Sequence, residues 1–363
     1  MEGLALYIDD RFRNRKVDFF NEFTFTLAYD SVGSTFGFNL YFDPYNIEHK
    51  ELACVTHYHI VRLQYRGELL ITGNITSQRF TQTNTKRMAS IGGYSLPGVL
   101  EDCQIPTSSY PLQSDGLNLR QIASKLLRPF KIDFEVDPAV SGRMGKAFEK
   151  ATATETQSVK DFLTQLASQK DIIISHNAEG VLLFTEAKTN TDPVMVLDLR
   201  EGVQLGTEYE LEYDGQSMHS HITVIKQADL KGGNAGQVEV RNPYVIGSVF
   251  RPKVVTQTSG DDIDTSEAAK RELANELRGV KLKIKTDRWL DKDNNLLVPN
   301  TLIQAFSPEL YLYRMTTWFI ESITYQGNNK QTTATLNCVL PEVYNRKTPS
   351  SIFRNINLHA LEP

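Results

Sequence analysis

Hydrophobic and polar positions along the first hundred residues alternate with a period of two. In FTFTLAY, Phe23, Phe25, Leu27 and Tyr29 alternate with Thr24, Thr26 and Ala28, which places a greasy row on one face of a strand and a mostly polar row on the other. VRLQYRGELLITGNIT repeats the theme. Val61, Leu63 and Tyr65 alternate, Arg66 and Gly67 make a tight turn, and Leu69 to Ile75 return as a partner strand, so the segment reads as a hairpin.

The period changes near Ser114. In LNLRQIASKLLRPF, Leu119, Ile122, Ala123, Leu126 and Leu127 follow helical spacing until Pro129 stops the run. A second helix, Gln157 to Gln169, places Val159, Phe162, Leu163, Leu166 and Ala167 on one face. It leads into a hairpin in which DIIIS and VLLFTEA flank the turn residues His176, Asn177, Glu179 and Gly180. Strand texture resumes in EYELEY, where Glu208, Glu210 and Glu212 share one face and Tyr209, Leu211 and Tyr213 the other. A third helix is predicted from Thr265 to Arg278, with Asp264 as its cap, Glu267 completing a capping pattern and Gly279 as its stop. Strands return in VKLKIKT, YRMTTWFIESITYQG and TATLNCVL, and an extended arm follows Pro341.

This order predicts a mainly β fold with an α+β insertion. Long all-β regions usually close into barrels or sandwiches, because an open edge invites aggregation, so the simplest architecture is two β-barrels with an inserted module. The predicted domains are 1–105 as the first barrel, 106–190 as the α+β module, 191–235 with 278–345 as the second barrel, and 346–363 as a C-terminal arm. The 236–277 excursion is expected to pack on the module.

Composition narrows the function. With 363 residues, 40% hydrophobic and 23% charged, the balance is that of a soluble globular protein. No apolar run reaches the roughly 18 residues of a membrane span, and MEGLALYIDDRFR lacks the layout of a signal peptide, so neither membrane insertion nor secretion is expected. Cys54, Cys103 and Cys338 are odd in number and far apart, which argues for reduced thiols rather than a disulfide framework or a CxxC site. A formal charge of -5 supplies no footprint for gripping nucleic acid.

Candidate chemistry is sparse. His57 with His59 and His219 with His221 are spaced to share strand faces, but a zinc site needs three or four ligands, so ordinary surface or turn histidines are the better reading. DKDNNLLVPNTL starts like a calcium loop at Asp291, Asp293 and Asn295, then carries Leu296 where glycine is needed and Leu302 where a bidentate glutamate is needed; it reads as a polar hairpin tip. KGGNAGQ lacks the strand and helix of a phosphate-binding unit, and no GxSxG, HExxH or GxxxxGK[ST] occurs. The row Glu208, Glu210 and Glu212 is expected to be a solvated strand face rather than a glycosidase pair. No catalytic residue, cofactor or metal is predicted.

The order of motifs resembles the baseplate hub proteins of contractile phage tails, the Mu-like hub and late control protein D family, which is related to the hub module of type VI secretion spike proteins. VRLQYRGELLITGNI is similar to the family's charged-strand, turn and LLTGYI hairpin. IGGYSLPGVLEDC resembles its GRS followed by a leucine-rich segment ending in DC, with Tyr94 where arginine is frequent. LNLRQIASKLLRPFKIDFEVD, ETQSVKDFLTQLASQKDIIISHNAEGVLLFTEA and LLVPNTLIQAFSPELYLYRMTTWFIESITYQ match later family units in the same order. The series covers about 20 to 345.

The resemblance implies a homotrimeric ring in which each subunit contributes two tube-like barrels, so that a threefold spike can meet a sixfold tail tube. It implies a structural virion protein of the tail baseplate, assembled in the host cytoplasm and forming part of the DNA conduit. The implied partners are its own copies, tail tube or tube-initiator proteins, the central spike protein and baseplate wedge proteins, with DNA only in transit. A closed ring of heterologous contacts removes exposed strand edges, and such an obligate interface buries more than about 2,000 Å². On this reading Gly92, Gly93, Pro97 and Leu100 form a domain junction, with Leu96 and Val99 packing beside it. Tyr344, Ile352, Phe353, Ile356 and Leu358 become candidate contacts for the spike or a neighbouring subunit. The alternatives are a tail-associated cell-wall hydrolase and a carbohydrate-binding receptor module.

Overall fold

A computed structural model describes residues 3–9, 14–200, 208–226, 236–245, 249–257 and 264–353. The chain divides into two compact units, one of residues 1–186 with 322–334 and one of residues 187–321 with 335–363.

The first unit opens with strands β1 (Leu4–Asp9), β2 (Asn14–Val17), β3 (Phe20–Ala28) and β4 (Thr35–Tyr41), followed by the short helix α1 (Ile47–Leu52) and strands β5 (Ile60–Tyr65), β6 (Glu68–Gln82) and β7 (Arg87–Ser95). The alternation predicted for β3 is present: Phe23 and Phe25 are buried while Glu22, Thr24 and their like face outward. Arg66 and Gly67 both take positive φ, 52° and 88°, the paired left-handed conformation of a two-residue hairpin turn.

The module between these strands and residue 186 contains α2 (Val99–Asp102), α3 (Leu119–Leu127), β8 (Phe134–Val136), α4 (Pro138–Met144), α5 (Val159–Gln169), β9 (Ile173–His176) and β10 (Leu182–Thr185). Its three-stranded sheet runs β8-β10-β9. The apolar stripes of α3 and α5 bury Leu119, Ile122, Leu126, Phe162, Leu163 and Leu166 in one core. Asn118 and Gln121 close a reciprocal capping box at the start of α3, satisfying two backbone donors that would otherwise be orphaned.

The second unit contains β11 (Met195–Asp198), β12 (Glu208–Tyr213), β13 (His221–Lys226), β14 (Gly236–Arg241), β15 (Pro252–Gln257), α6 (Thr265–Glu276), β16 (Val280–Thr286), β17 (Leu302–Ser307) and α7 (Glu342–Asn345). Two further strands, β18 (Leu312–Asn328) and β19 (Thr332–Val339), belong partly to each unit. The far half of β18 pairs antiparallel with β3 from Ser322↔Ala28 to Asn328↔Glu22. Phe25 stacks on Tyr325 with centroids 4.9 Å apart, and the hydroxyls of Thr26 and Thr324 lie 2.9 Å apart on the opposite face.

Three expectations are corrected. The predicted barrels do not close among the described residues. In the first unit the strands follow an open path, β18-β3-β4-β7-β6-β5-β1-β2. Rather than pairing with another strand, the edge at β2 carries Arg15, which bonds Glu51 of α1 at 2.5 Å and approaches Glu48 at 3.6 Å; a charged, helix-covered edge solves the same problem as closure. In the second unit the path β12-β16-β19-β18-β17-β11 is open as well. Its β12 edge carries the predicted glutamate row, each member facing a lysine of β16: Glu208 with Lys285, Glu210 with Lys283 and Glu212 with Lys281.

The second correction concerns the 236–277 excursion. Where the sequence places it on the 106–190 module, α6 packs on the sheet β14-β13-β15 of its own unit through Val224, Ala268 and Ala269. The buried Glu276 carboxylate fastens it there, accepting from the backbone N–H of His219 at 2.8 Å, pairing with the His219 ring at 2.7 Å and with Lys253 at 3.3 Å. A carboxylate so buried is tolerable because each oxygen has a partner. Asp264 does occupy the N-cap position of α6, but its side chain makes no capping bond.

The third correction concerns Gly92 and Gly93, expected at the junction where the chain leaves the first barrel for the module. They are strand residues of β7, paired with both β4 and β6. A Cβ on Gly93 would stand 1.9 Å from the carbonyl oxygen of Asn74, and one on Gly73 2.1 Å from that of Tyr94. These glycines permit close backbone approach where β6 shifts register between Ile75 and Ser77. Replacing Gly93 by alanine is therefore expected to cost about 3 kcal/mol, the upper range for overpacking a site with no room. Urea denaturation checks this, and a variant within 0.5 kcal/mol of wild type, roughly the neutral surface range, would contradict it.

Candidate functional site

At the boundary between β7 and the module, Ser95 is the N-cap of a 3-10 turn, Leu96–Gly98, with Pro97 in its first turn, and the chain then enters α2. Leu100 is fully buried in the module core together with Val32 from the turn between β3 and β4. Pro97 and Leu100 thus occupy the boundary, with Gly92 and Gly93 just before it in the strand.

The polar fastening of this boundary uses contacts that the sequence patterns do not show. His176, at the end of β9, places Nδ1 2.9 Å from the carbonyl of Ser31 and Nε2 2.8 Å from the hydroxyl of Ser34. Ser34 in turn donates its N–H to the Ser95 hydroxyl at 2.8 Å, and the Ser95 N–H returns to the Ser34 carbonyl at 2.8 Å. The geometry assigns a neutral ring: Nδ1–H donates to the carbonyl, and the Ser34 hydroxyl donates to Nε2. Burial lowers the His176 pKa, a shift opposed by the bond to Ser31. Gly180, with φ +86°, lies against Leu96, leaving no space for a Cβ.

The second cluster surrounds the C-terminal candidates. The Tyr344 hydroxyl donates to Glu321 at 2.7 Å, its ring lies 4.5 Å from that of Phe319, and Arg278 both pairs with Glu321 and sits over the Tyr344 ring. Ile352 is 8% exposed, and its N–H donates to the Tyr244 hydroxyl at 3.2 Å. The ring of Phe353 stands among three tyrosines, with centroids 5.9 Å from Tyr213, 6.0 Å from Tyr244 and 6.1 Å from Tyr311. Arg314 donates to the Ser351 carbonyl at 2.8 Å. An open groove of about 570 Å³ runs beside Phe353, walled by Leu211, Tyr213, Tyr244, Leu310 and Tyr311, with Glu309 in its lining. Tyr344, Ile352 and Phe353 are therefore engaged within the second unit, whereas Ile356 and Leu358 lie outside the described residues.

Most of KGGNAGQ lies outside the described residues. His57 lies 4.0 Å from the Cys54 sulfur, His59 bonds the carbonyl of Glu51, and His221 bonds Ser220. Among the described residues no three His, Cys, Asp or Glu side chains converge to hold a metal ion. In the DKDNN turn, Oδ1 of Asp291 accepts from the backbone N–H of Asp293 and of Asn295, an Asx-type turn.

Residues 97–186 match the family model described as the second domain of baseplate hub protein gp44-like proteins. Over 280 residues, 74% of this chain and 71% of the relative, the sequence is 22% identical to baseplate hub protein gp44 of Escherichia phage Mu. The fold is similar to that of the 43 kDa tail protein of prophage MuSo2 from Shewanella oneidensis, 17% identical with a TM-score of 0.75, covering 94% of this chain and 99% of that one. It is equally similar to a tail protein from Neisseria meningitidis MC58, 18% identical with a TM-score of 0.75, covering 95% and 99% of the two chains. A more distant likeness, 12% identical with a TM-score of 0.55 over 93% of this chain and 78% of the other, is to the E. coli c3393 protein, a type VI secretion component described as structurally similar to phage T4 tail proteins gp27 and gp5. The resemblance drawn from the sequence motifs is thereby borne out.

Two measurements follow from these environments. Cys338 is fully buried and burial drives its thiol far above the ordinary range, while Cys54 and Cys103 are partly exposed. A thiol reagent on the folded protein is expected to label two cysteines per chain and the third only after unfolding; labelling of all three at one rate would contradict the packing. For His176, the folded chain binds fewer protons than the unfolded chain once pH drops below the ordinary value of 6.5. Stability is then lost as pH falls from 6.5 toward the lowered folded value, by up to about 1.4 kcal/mol per pH unit, and is independent of this group above 6.5. Comparing thermal stability of wild type and His176→Gln from pH 8 to about pH 5 isolates this slope; parallel curves would show that the ring does not carry it.

Proposed function

We propose that this chain is a structural baseplate hub protein of a contractile phage tail or a related injection device. The observation that carries the reading is the match of fold over 94% of this chain and 99% of a prophage tail protein, joined to the gp44-like domain match at 97–186. In this reading three copies form a closed ring that adapts a sixfold tail tube to a threefold spike and lines part of the DNA path. Its partners are its own copies, tube or tube-initiator proteins, the central spike and baseplate wedge proteins, and its place is the virion tail, after assembly in the host cytoplasm.

The surface charge pattern of the chain supports a scaffold role. The surface row of β12 is a ladder of paired opposite charges, and exposed pairs of this kind contribute little stability while discouraging a further strand from adding to the edge. A formal charge of -5 per chain suits a conduit wall that DNA slides past rather than one that holds it. We assign no enzymatic activity to the chain. The junction of Pro97 and Leu100, with Gly92 and Gly93 in the strand before it, is proposed to hold the module on the first β region. Contact with the spike or a neighbouring subunit is proposed to run through Ile356 and Leu358, from the anchor made by Tyr344, Ile352 and Phe353.

Light scattering after size exclusion tests the ring. The expected mass is three times 41.1 kDa. A monomer at every concentration, with purified tube and spike proteins also present, would overturn the trimeric reading.

A further inference from the structure

Strand β6 outruns one of its two neighbours. It pairs with β7 as far as Gln82↔Arg87, but β5 accompanies it only to Ile60↔Asn74. Beyond the shift between Ile75 and Ser77, residues 76–82 have a strand on one side only. Thr83 closes the hairpin by donating its N–H to the carbonyl of Lys86 at 2.8 Å, and opposed residues of an antiparallel pair alternate between bonded and non-bonded. Counting back along β6, Thr81 and Arg79 bond β7, whereas the N–H and C=O of Gln82, Phe80 and Gln78 face away from it.

The side chains around this edge are exposed as well. Phe80 is 46% exposed, with its ring centroid 5.0 Å from that of Phe42. The loop that Gln78 holds through the Cys54 carbonyl turns Val55 and Tyr58 to solvent. The charge is of one sign: between Glu68 and Glu101 the chain carries Arg79, Lys86 and Arg87 and no Asp or Glu. Among the described residues none of these three basic groups meets a carboxylate. At β2, by contrast, Arg15 is held by Glu51 and Glu48 of α1.

We infer that the open edge of β6 receives an extended, acidic strand of a partner protein. The inference goes beyond the hub reading and does not depend on it. The free backbone groups along 76–82 include donors and acceptors alike, and another extended backbone satisfies both. A phosphate chain would take the N–H groups and leave the carbonyls unpaired. The unpaired Arg79, Lys86 and Arg87 select for carboxylates, and they argue against the same edge of a second copy, which would set like charges opposite one another. On the incoming strand, carboxylates belong on the face that meets Arg79 and apolar side chains on the face that meets Phe80, because neighbouring residues of β6 point to opposite faces.

The probe is a fluorescein-labelled peptide of alternating valine and glutamate, as long as the open edge, followed by fluorescence anisotropy on the full chain. Saturable binding is expected, and binding at least about fivefold weaker when lysine replaces glutamate in the peptide or when the protein carries Arg79→Glu. No binding, or equal affinity in those pairs, would overturn the inference. Phe80→Ala and Phe80→Pro separate the ring from the backbone, since both lose the ring and only the proline loses an outward N–H that makes no bond to β7. The proline chain is expected to bind at least about fivefold more weakly than the alanine chain; equal affinity would overturn strand addition, and the exposed Arg79→Glu carries the test if the proline chain does not fold. Displacement of the peptide by an equal concentration of oligothymidylate would assign the edge to phosphate, and a changed mass of the Arg79→Glu chain in light scattering would assign it to a second copy. Either result overturns the inference, whereas an unchanged mass, monomer or trimer, supports a separate partner.

Discussion

The first unit depends on a strand that the chain does not supply until its last fifty residues. Strand β3 finds its outer neighbour in Ser322–Asn328, separated from it by nearly the whole sequence. Without that strand, β3 would present a row of unpaired backbone groups and Phe25 would lose its stack on Tyr325, a contact worth about 0.5–1.5 kcal/mol beyond the area it buries. Residues 1–186 thus hold most of the unit's core but not all of its sheet. Pairing at such sequence separation is slow to form, because the loop must close before the contacts reward it.

Edges explain several features that look unrelated in sequence. The sheet paths do not close among the described residues, and their ends are managed locally. Arg15 and the acidic face of α1 guard β2, and the alternating glutamates of β12 meet the alternating lysines of β16. Both devices use charge where a barrel would use closure. The close approach of β6 and β7 at Gly73 and Gly93 belongs to the same economy of backbone pairing, since the shift between Ile75 and Ser77 fits only where no Cβ intrudes.

Elements are fastened by small polar knots set into apolar contacts. His176 ties the module to the turn after β3 and, through Ser34, to Ser95 at the end of β7. Glu276 ties α6 to the strands beneath it. Each knot gives direction to an interface whose apolar part is non-directional. In each knot the polar atoms are paired with one another: His176 with Ser31 and Ser34, and Glu276 with His219 and Lys253.

Local structure and the family resemblance are legible in the order of residues alone. Period-two rows place β3, β5 and β6, helical spacing places α3, α5 and α6, and Arg66 with Gly67 mark their turn, because these signals are written in neighbouring residues. The colinear motifs point to hub proteins for the same reason. The rest depends on residues far apart in the chain, which meet only in the fold. Gly92 and Gly93 read as junction glycines until their neighbours Ser77 and Asn74 are seen across the strand pair. His176 reads as a turn residue until Ser31 and Ser34 arrive from 145 and 142 positions earlier. The partner of α6, the open ends of the sheets and the socket of Tyr213, Tyr244 and Tyr311 around Phe353 are equally invisible to periodicity, which reports which face of an element is apolar but not what comes to cover it.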